Sequence, residues 1–196
     1  MKNLPRVTSI IGIINSDSLN KIRGQLGNYG FDEMMNRKAH LGDRIHKDSY
    51  LINEGLVPSP DPDTEIQVNA YWRWFDLYVE EVIASEIQLT STRYGYMTHG
   101  VDLIAVLKGD KLPTTVDLKS GVTTGQLREK HKLQTASYKN LAKENGIKTI
   151  KRGIVNLKNI PSNGIPRFIT HDNYERDLRH FFCALELYQR FGNNNK

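Results

Sequence analysis

The sequence predicts an α/β fold, a central mixed β-sheet flanked by helices in a single domain. Three observations carry that reading. Apolar residues recur at helical spacing around 71–82 and again in 126–145 and 173–190, while between the first two stretches 82–92 alternates on a β-branched background and 100–107 is a short buried-looking run. The resulting order is helices, a β-meander, a helix, more strands and a helix, which suits a sheet sandwiched by helices. The length, 196 residues, supports one domain (1–196), divided into an N-terminal helical part (5–57) and an αβ core (71–192).

Residues 5–57 read as helical pieces broken at Gly24, Gly27 and Gly30, with the clearest helix over 32–53. Pro58-Ser-Pro-Asp-Pro62 marks a rigid surface loop, because proline fixes φ and withholds a donor. Tyr71, Trp74, Phe75, Tyr78 and Val82 fall at i, i+3, i+4, i+7 and i+11, an apolar helix stripe that fits core packing better than base stacking. Strands follow over 82–92, 100–107 and 112–119. A helix over 126–145, closed by Gly146, carries Leu127, His131, Gln134, Tyr138 and Leu141 along one side. Strands over 148–156 and 167–170 precede a last helix over 173–190, whose Leu178, Phe181, Phe182, Leu185 and Tyr188 dock on the core.

Composition narrows the function classes. The chain is 38% hydrophobic and 25% charged, as expected of a soluble globular protein, and the apolar run 10–14 is too short to cross a bilayer. The start, Met-Lys-Asn-Leu-Pro-Arg, lacks the apolar region of a secretory signal, so a cytoplasmic location is expected, with no membrane partner. Cys183 is the only cysteine, which excludes a disulfide framework and a cysteine-held iron–sulfur cluster. No Walker A pattern occurs, so any motor must be another chain. The formal charge is +5, but it is uneven. Nine basic residues and two acids lie between Arg128 and Lys158, leaving the rest of the chain at −2. Such a run reads either as a solvated helix face or as a phosphate-tracking surface.

The chemistry concentrates in the hairpin. With the turn Lys108-Gly-Asp-Lys111 centred between Gly109 and Asp110, paired residue numbers sum to 219, so Asp102 lies opposite Asp117. Directly opposed side chains share a face with Cβ atoms about 4.5–5.5 Å apart, and Lys119 joins Asp117 on that face by the two-residue period. Two carboxylates held so close repel unless a cation sits between them. A hard divalent ion such as Mg²⁺, bound by carboxylates and substrate phosphate, removes that repulsion. A neighbouring lysine supplies charge stabilisation or water orientation for phosphodiester hydrolysis. Pro113 weakens this register, because it cannot donate to the ladder.

Asp102 within Gly100-Val-Asp102-Leu-Ile, then Asp117-Leu-Lys119-Ser-Gly, then Gln134-Thr-Ala-Ser-Tyr138 resembles the PD-(D/E)XK nuclease superfamily. More narrowly, the order G-h-D, D-h-K, Q-x-x-x-Y is similar to the RecB-like exonuclease branch, with phage exonucleases and the mitochondrial genome maintenance exonuclease. Arg6-Val-Thr-Ser-Ile-Ile-Gly and Gly42-Asp-Arg-Ile-His46 resemble the opening and the G-x-x-h-H helix motif of those nucleases, and Glu86 stands where they often carry an acid. The resemblance covers residues 5–145. His99, where many relatives have Gly, and Tyr50, where some have Glu, depart from it.

The resemblance implies a restriction-endonuclease-like core and a Mg²⁺- or Mn²⁺-dependent deoxyribonuclease. Asp102, Asp117, the Leu118 carbonyl, His46 and Glu86 would hold the metal, and Lys119, with Asp102 and Asp117, would be catalytic. Gln134 and Tyr138, at i and i+4, share a helix face that contacts DNA or buttresses the site, while Arg128, Lys130 and Lys132 would hold the strand. The implied activity is exonucleolytic hydrolysis from DNA ends in phage or bacterial recombination, repair or degradation. A helicase, single-strand-binding or recombination partner would act in trans, inside the bacterial host if the gene is phage-borne. The alternatives are an endonuclease on the same core and a catalytically silent DNA-binding module.

Overall fold

A computed structural model describes residues 4–14, 17–121 and 125–192, without the side chains of 17, 18 and 125–127. The expected polar tail, 193–196, lies outside it. Helices α1 (Val7–Gly12), α2 (Asp17–Asn53) and α3 (Glu65–Tyr78) lead into strands β1 (Val79–Ile87), β2 (Thr90–Ser91), β3 (Tyr96–Met97), β4 (Val101–Leu107) and β5 (Thr114–Lys119). Helix α4 (Gly125–Glu144), strands β6 (Lys151–Asn156) and β7 (Arg167–Thr170) and helix α5 (Tyr174–Phe191) complete the chain.

Five strands form one sheet in the order β1-β4-β5-β6-β7, and β2 pairs with β3 separately. Only β5 and β6 are parallel, with α4 as the crossover between them, so the sheet is mixed as expected. The two-residue period of β4 divides the core. Leu103 and Ala105 join Val116, Leu118 and Val155 beneath Tyr71 and Trp74 of α3 and Ile45 and Ile52 of α2. Ile104 instead joins Leu133, Tyr138 and Leu141 of α4, Phe181 and Leu185 of α5, and Ile10 of α1. Trp74 is fully buried, so Trp74→Ala costs about 3–5 kcal/mol through lost transfer energy and the cavity left behind.

Several expected boundaries shift for identifiable reasons. Of the three glycines read as helix breaks, Gly27 alone breaks α2 (φ 70°, ψ 172°), while Gly24 and Gly30 keep helical geometry. The aromatic stripe packs in the core at Tyr71, Trp74 and Phe75, but Tyr78 is exposed and Val82 belongs to β1, since the helix ends at Tyr78 and the strand starts without a loop. The expected strand 82–92 is two strands, β1 and the short β2. The β4–β5 register keeps the predicted sum, with Leu103 opposite Val116 and Ala105 opposite Thr114. The two-residue turn does not form: Asp110 N–H closes a turn on Leu107 C=O, and pairing resumes only at Thr114, after Pro113. Helix α4 closes at Gly146 as expected, with Ile147 N–H on Ala142 C=O and Gly146 N–H on Lys143 C=O.

Candidate metal centre

The hairpin register delivers Asp102 from β4 and Asp117 and Lys119 from β5 to the face that meets α4. There the Asp102 carboxylate accepts the Leu118 backbone N–H at 2.6 Å through Oδ2, leaving Oδ1 free to face the helices. In the ladder a residue's N–H and C=O leave the strand on the same side, so the Leu118 carbonyl faces β4 as well. Helix α2 brings His46 alongside, its Nδ1 3.4 Å from Asp102 Oδ1 and 3.5 Å from Glu86 Oε1. One ligand atom each from His46, Glu86 and Asp102 lies within 4.8 Å of the others, a spacing that a single metal ion can span.

Glu86 reaches this cluster from an unusual backbone. Its φ is 48°, one of two positive values among the described non-glycine residues, at the end of β1 beyond an irregular stretch in its pairing with β4. A Cβ on Gly100 would run into the Glu86 carboxylate, so only glycine at 100 leaves room for it.

Asp117 and Lys119 form the adjoining wall. Lys119 Nζ is 2.7 Å from Asp117 Oδ2, and the Gln134 side-chain amide donates to Asp117 Oδ1 at 2.9 Å and to the Tyr138 hydroxyl at 2.8 Å. Gln134 and Tyr138 are both buried. Of the two roles expected for this pair, the hydrogen bonding and burial correspond to buttressing the site; neither presents itself as a free surface group for DNA.

The charges are tightly coupled. Burial pushes the Asp117 carboxyl up to about 6, with Asp102 adding to the rise and Lys119 opposing it. For Asp102, burial is outweighed by His46, by Lys119 and by the Leu118 N–H, so its pKa falls. His46 is raised well above its ordinary value, chiefly by Asp102. Lys119 remains cationic despite burial because Asp117 and Asp102 hold its proton. A dication with neutral His46 would balance the three carboxylates and Lys119. The mixed imidazole and carboxylate donors fit such an ion, without selecting one metal over another.

These groups line a cleft of about 660 Å³. Arg6, Asp43, Lys47, Tyr50 and His99, none of them assigned a site role from sequence, also line it; Arg6 and Asp43 lie in the two N-terminal motifs, and Tyr50 and His99 are the departures from the family pattern. A signal for three of them was present. Asp43, His46, Lys47 and Tyr50 recur at i, i+3, i+4 and i+7, a polar stripe on one side of α2.

The basic segment does not form one surface. Arg128 is exposed and Lys130 half-buried on the outer turns of α4, and Lys132 pairs with Glu129 at 2.6 Å. Lys151 pairs with Asp110 at 2.5 Å. Arg152 is fully buried, bonded to Asp177, Thr135 Oγ1 and the carbonyls of Lys132 and Asp172. Counting charge along the chain cannot see that β6 carries Arg152 into the interior. His131 and His171 are held neutral, burial pushing them down to about 3 and about 4.

Among the described residues no helix is long and apolar enough to cross a membrane. Comparison with protein-family models and with curated proteins found no match for this chain.

Proposed function

We propose that this protein is a Mg²⁺- or Mn²⁺-dependent deoxyribonuclease with a restriction-endonuclease-like core, acting as an exonuclease on DNA ends. The observation that carries the reading is the convergence of Asp102, Asp117 and Lys119 with His46 and Glu86 in one cleft, from four separate elements. A structural ion pair would need only one acid and one base; here three acids, a lysine and a histidine face the same space.

When bound, a dication would supply charge neutralisation and Lewis acidity at the phosphoryl group. His46, Glu86 and Asp102 would hold it, with Asp117 and the Leu118 carbonyl beside them. Lys119 stabilises the negative charge that builds on the phosphate as water attacks phosphorus in line and the 3′ oxygen leaves. Asp117 fixes the Lys119 ammonium at 2.7 Å, and Gln134 in turn fixes Asp117 at 2.9 Å. Arg128 and Lys130, at the outer end of α4, supply phosphate contacts for the strand.

The test compares end-labelled linear DNA with covalently closed circles in the presence of Mg²⁺ or Mn²⁺. Linear DNA should be degraded and circles left intact, with Asp117→Ala inactive but folded by circular dichroism. Cutting of circles would establish an endonuclease on this core instead. Undiminished cleavage by Asp117→Ala would overturn the reading.

A further inference from the structure

The last turn of α2 carries a buried polar side chain that meets the backbone and neighbours of the candidate ligands rather than their side chains. The helix is closed by Leu56 N–H on Leu51 C=O at 2.8 Å and Gly55 N–H on Ile52 C=O at 3.0 Å, with Gly55 at φ 73°. This closure fixes the final turn and holds Asn53 inside it, 7% exposed. The Asn53 amide donates to Ser85 Oγ at 2.8 Å and, over a longer 3.4 Å, to the Asp102 carbonyl. Its Oδ1 accepts the Tyr71 hydroxyl at 2.6 Å, and Ser85 Oγ donates to the Asp102 carbonyl at 3.2 Å.

The partners of this amide map onto the candidate ligands. His46 lies two helical turns earlier on the same helix, Ser85 is adjacent to Glu86, and Asp102 is itself a candidate ligand. Asn53 therefore ties together the three elements that carry His46, Glu86 and Asp102. Tyr71, anchored in the α3 core and stacked 5.8 Å from Trp74, sets which way the amide points. Stability alone does not call for such a junction. A neutral network in a dry interior contributes little net, and an apolar replacement of all its members can be nearly neutral.

We propose that Asn53, oriented by Tyr71 and relayed through Ser85, is the positioning residue that sets the mutual spacing of His46, Glu86 and Asp102 for a divalent cation. This rests on the reading of that cluster as a cation site. Partners behind a metal's ligands fix their orientation, and their loss typically weakens metal binding about 10–100-fold.

The experiment measures Mn²⁺ affinity of the full chain, without DNA, by calorimetry and by electron paramagnetic resonance of free Mn²⁺. Tyr71→Phe removes one hydroxyl and keeps the ring; Ser85→Ala removes the relay. Each should weaken Mn²⁺ binding about tenfold well below its melting temperature. Phe181→Leu, in the core across the sheet from Tyr71 and without contact to Asn53 or Ser85, should lower the melting temperature and leave Mn²⁺ affinity unchanged. Wild-type affinity in both Tyr71→Phe and Ser85→Ala overturns the positioning role while leaving the cation site standing; if Tyr71→Phe does not fold, Ser85→Ala decides. No Mn²⁺ binding by the wild type, or binding unaltered in Asp102→Ala, removes the cation site and this inference with it.

Discussion

The Asp102 carboxylate accepts the Leu118 backbone N–H at 2.6 Å, so the strand that carries Asp117 and Lys119 is bonded directly to the acid on its neighbour. One oxygen of Asp102 is committed to holding β5 in place and the other faces His46. Asp102→Asn keeps the shape but offers the Leu118 N–H a neutral acceptor and weakens the attraction for His46 and Lys119. Cation-dependent activity should fall at least a hundredfold while the fold is retained, read by cleavage rate beside circular dichroism.

Gly100 provides a separate handle on Glu86. Its backbone is in an ordinary region, so alanine brings no φ strain there; its Cβ meets the end of a flexible side chain, which can move aside. Gly100→Ala should therefore change stability by no more than about 1 kcal/mol, yet displace the carboxylate and weaken Mn²⁺ binding about tenfold. Chemical denaturation and Mn²⁺ titration of one preparation check both halves.

Arg152 and Arg128 should separate structure from DNA contact. Arg152→Met leaves Asp177 buried with only the Arg176 contact at 3.1 Å, and should cost about 3–5 kcal/mol in urea unfolding. Arg128→Ala should leave stability unchanged and reduce the salt dependence of DNA affinity by about one counterion. An unaltered salt slope for Arg128→Ala would remove that residue from the proposed DNA surface.

Buried His171 gives acid sensitivity of a stated sign. Its pKa is pushed down to about 4 in the folded chain, chiefly by burial and then by Arg152, against about 6.5 unfolded. Between those values the unfolded chain binds the extra proton, so this contribution to stability is complete above pH 6.5 and is lost as pH falls towards 4. Its full size is on the order of 3 kcal/mol. His171→Gln should flatten the fall in unfolding free energy over that window; an unchanged pH profile would show that His171 titrates alike in both states.

Much of this arrangement was legible before folding. Centring the turn between Gly109 and Asp110 gave the register that places Asp102 near Asp117, and Pro113 displaced the turn without shifting that register. Strand Arg167–Thr170 and the closure at Gly146 were also readable, because β-branched runs and a helix-ending glycine are local signals. The parts that were not legible depend on distant chain. Asn53, Tyr71 and Ser85 look like unrelated helix and strand residues until α2, α3 and β1 converge. Arg152 looked like surface charge because nothing nearby in sequence announces Asp177, 25 residues on. The left-handed backbone at Glu86 is a conformation that this residue type disfavours, so nothing local in the sequence announces it.

The most direct test of the central claim is product analysis on 5′- and 3′-labelled single- and double-stranded DNA with Mg²⁺ or Mn²⁺, run side by side for the wild type and Lys119→Ala. The wild type should shorten the DNA progressively from an end, in a reaction abolished by chelation and reduced at least a thousandfold in Lys119→Ala. No metal-dependent cleavage of any of these substrates by the wild type, or equal cleavage by Lys119→Ala, would contradict that claim.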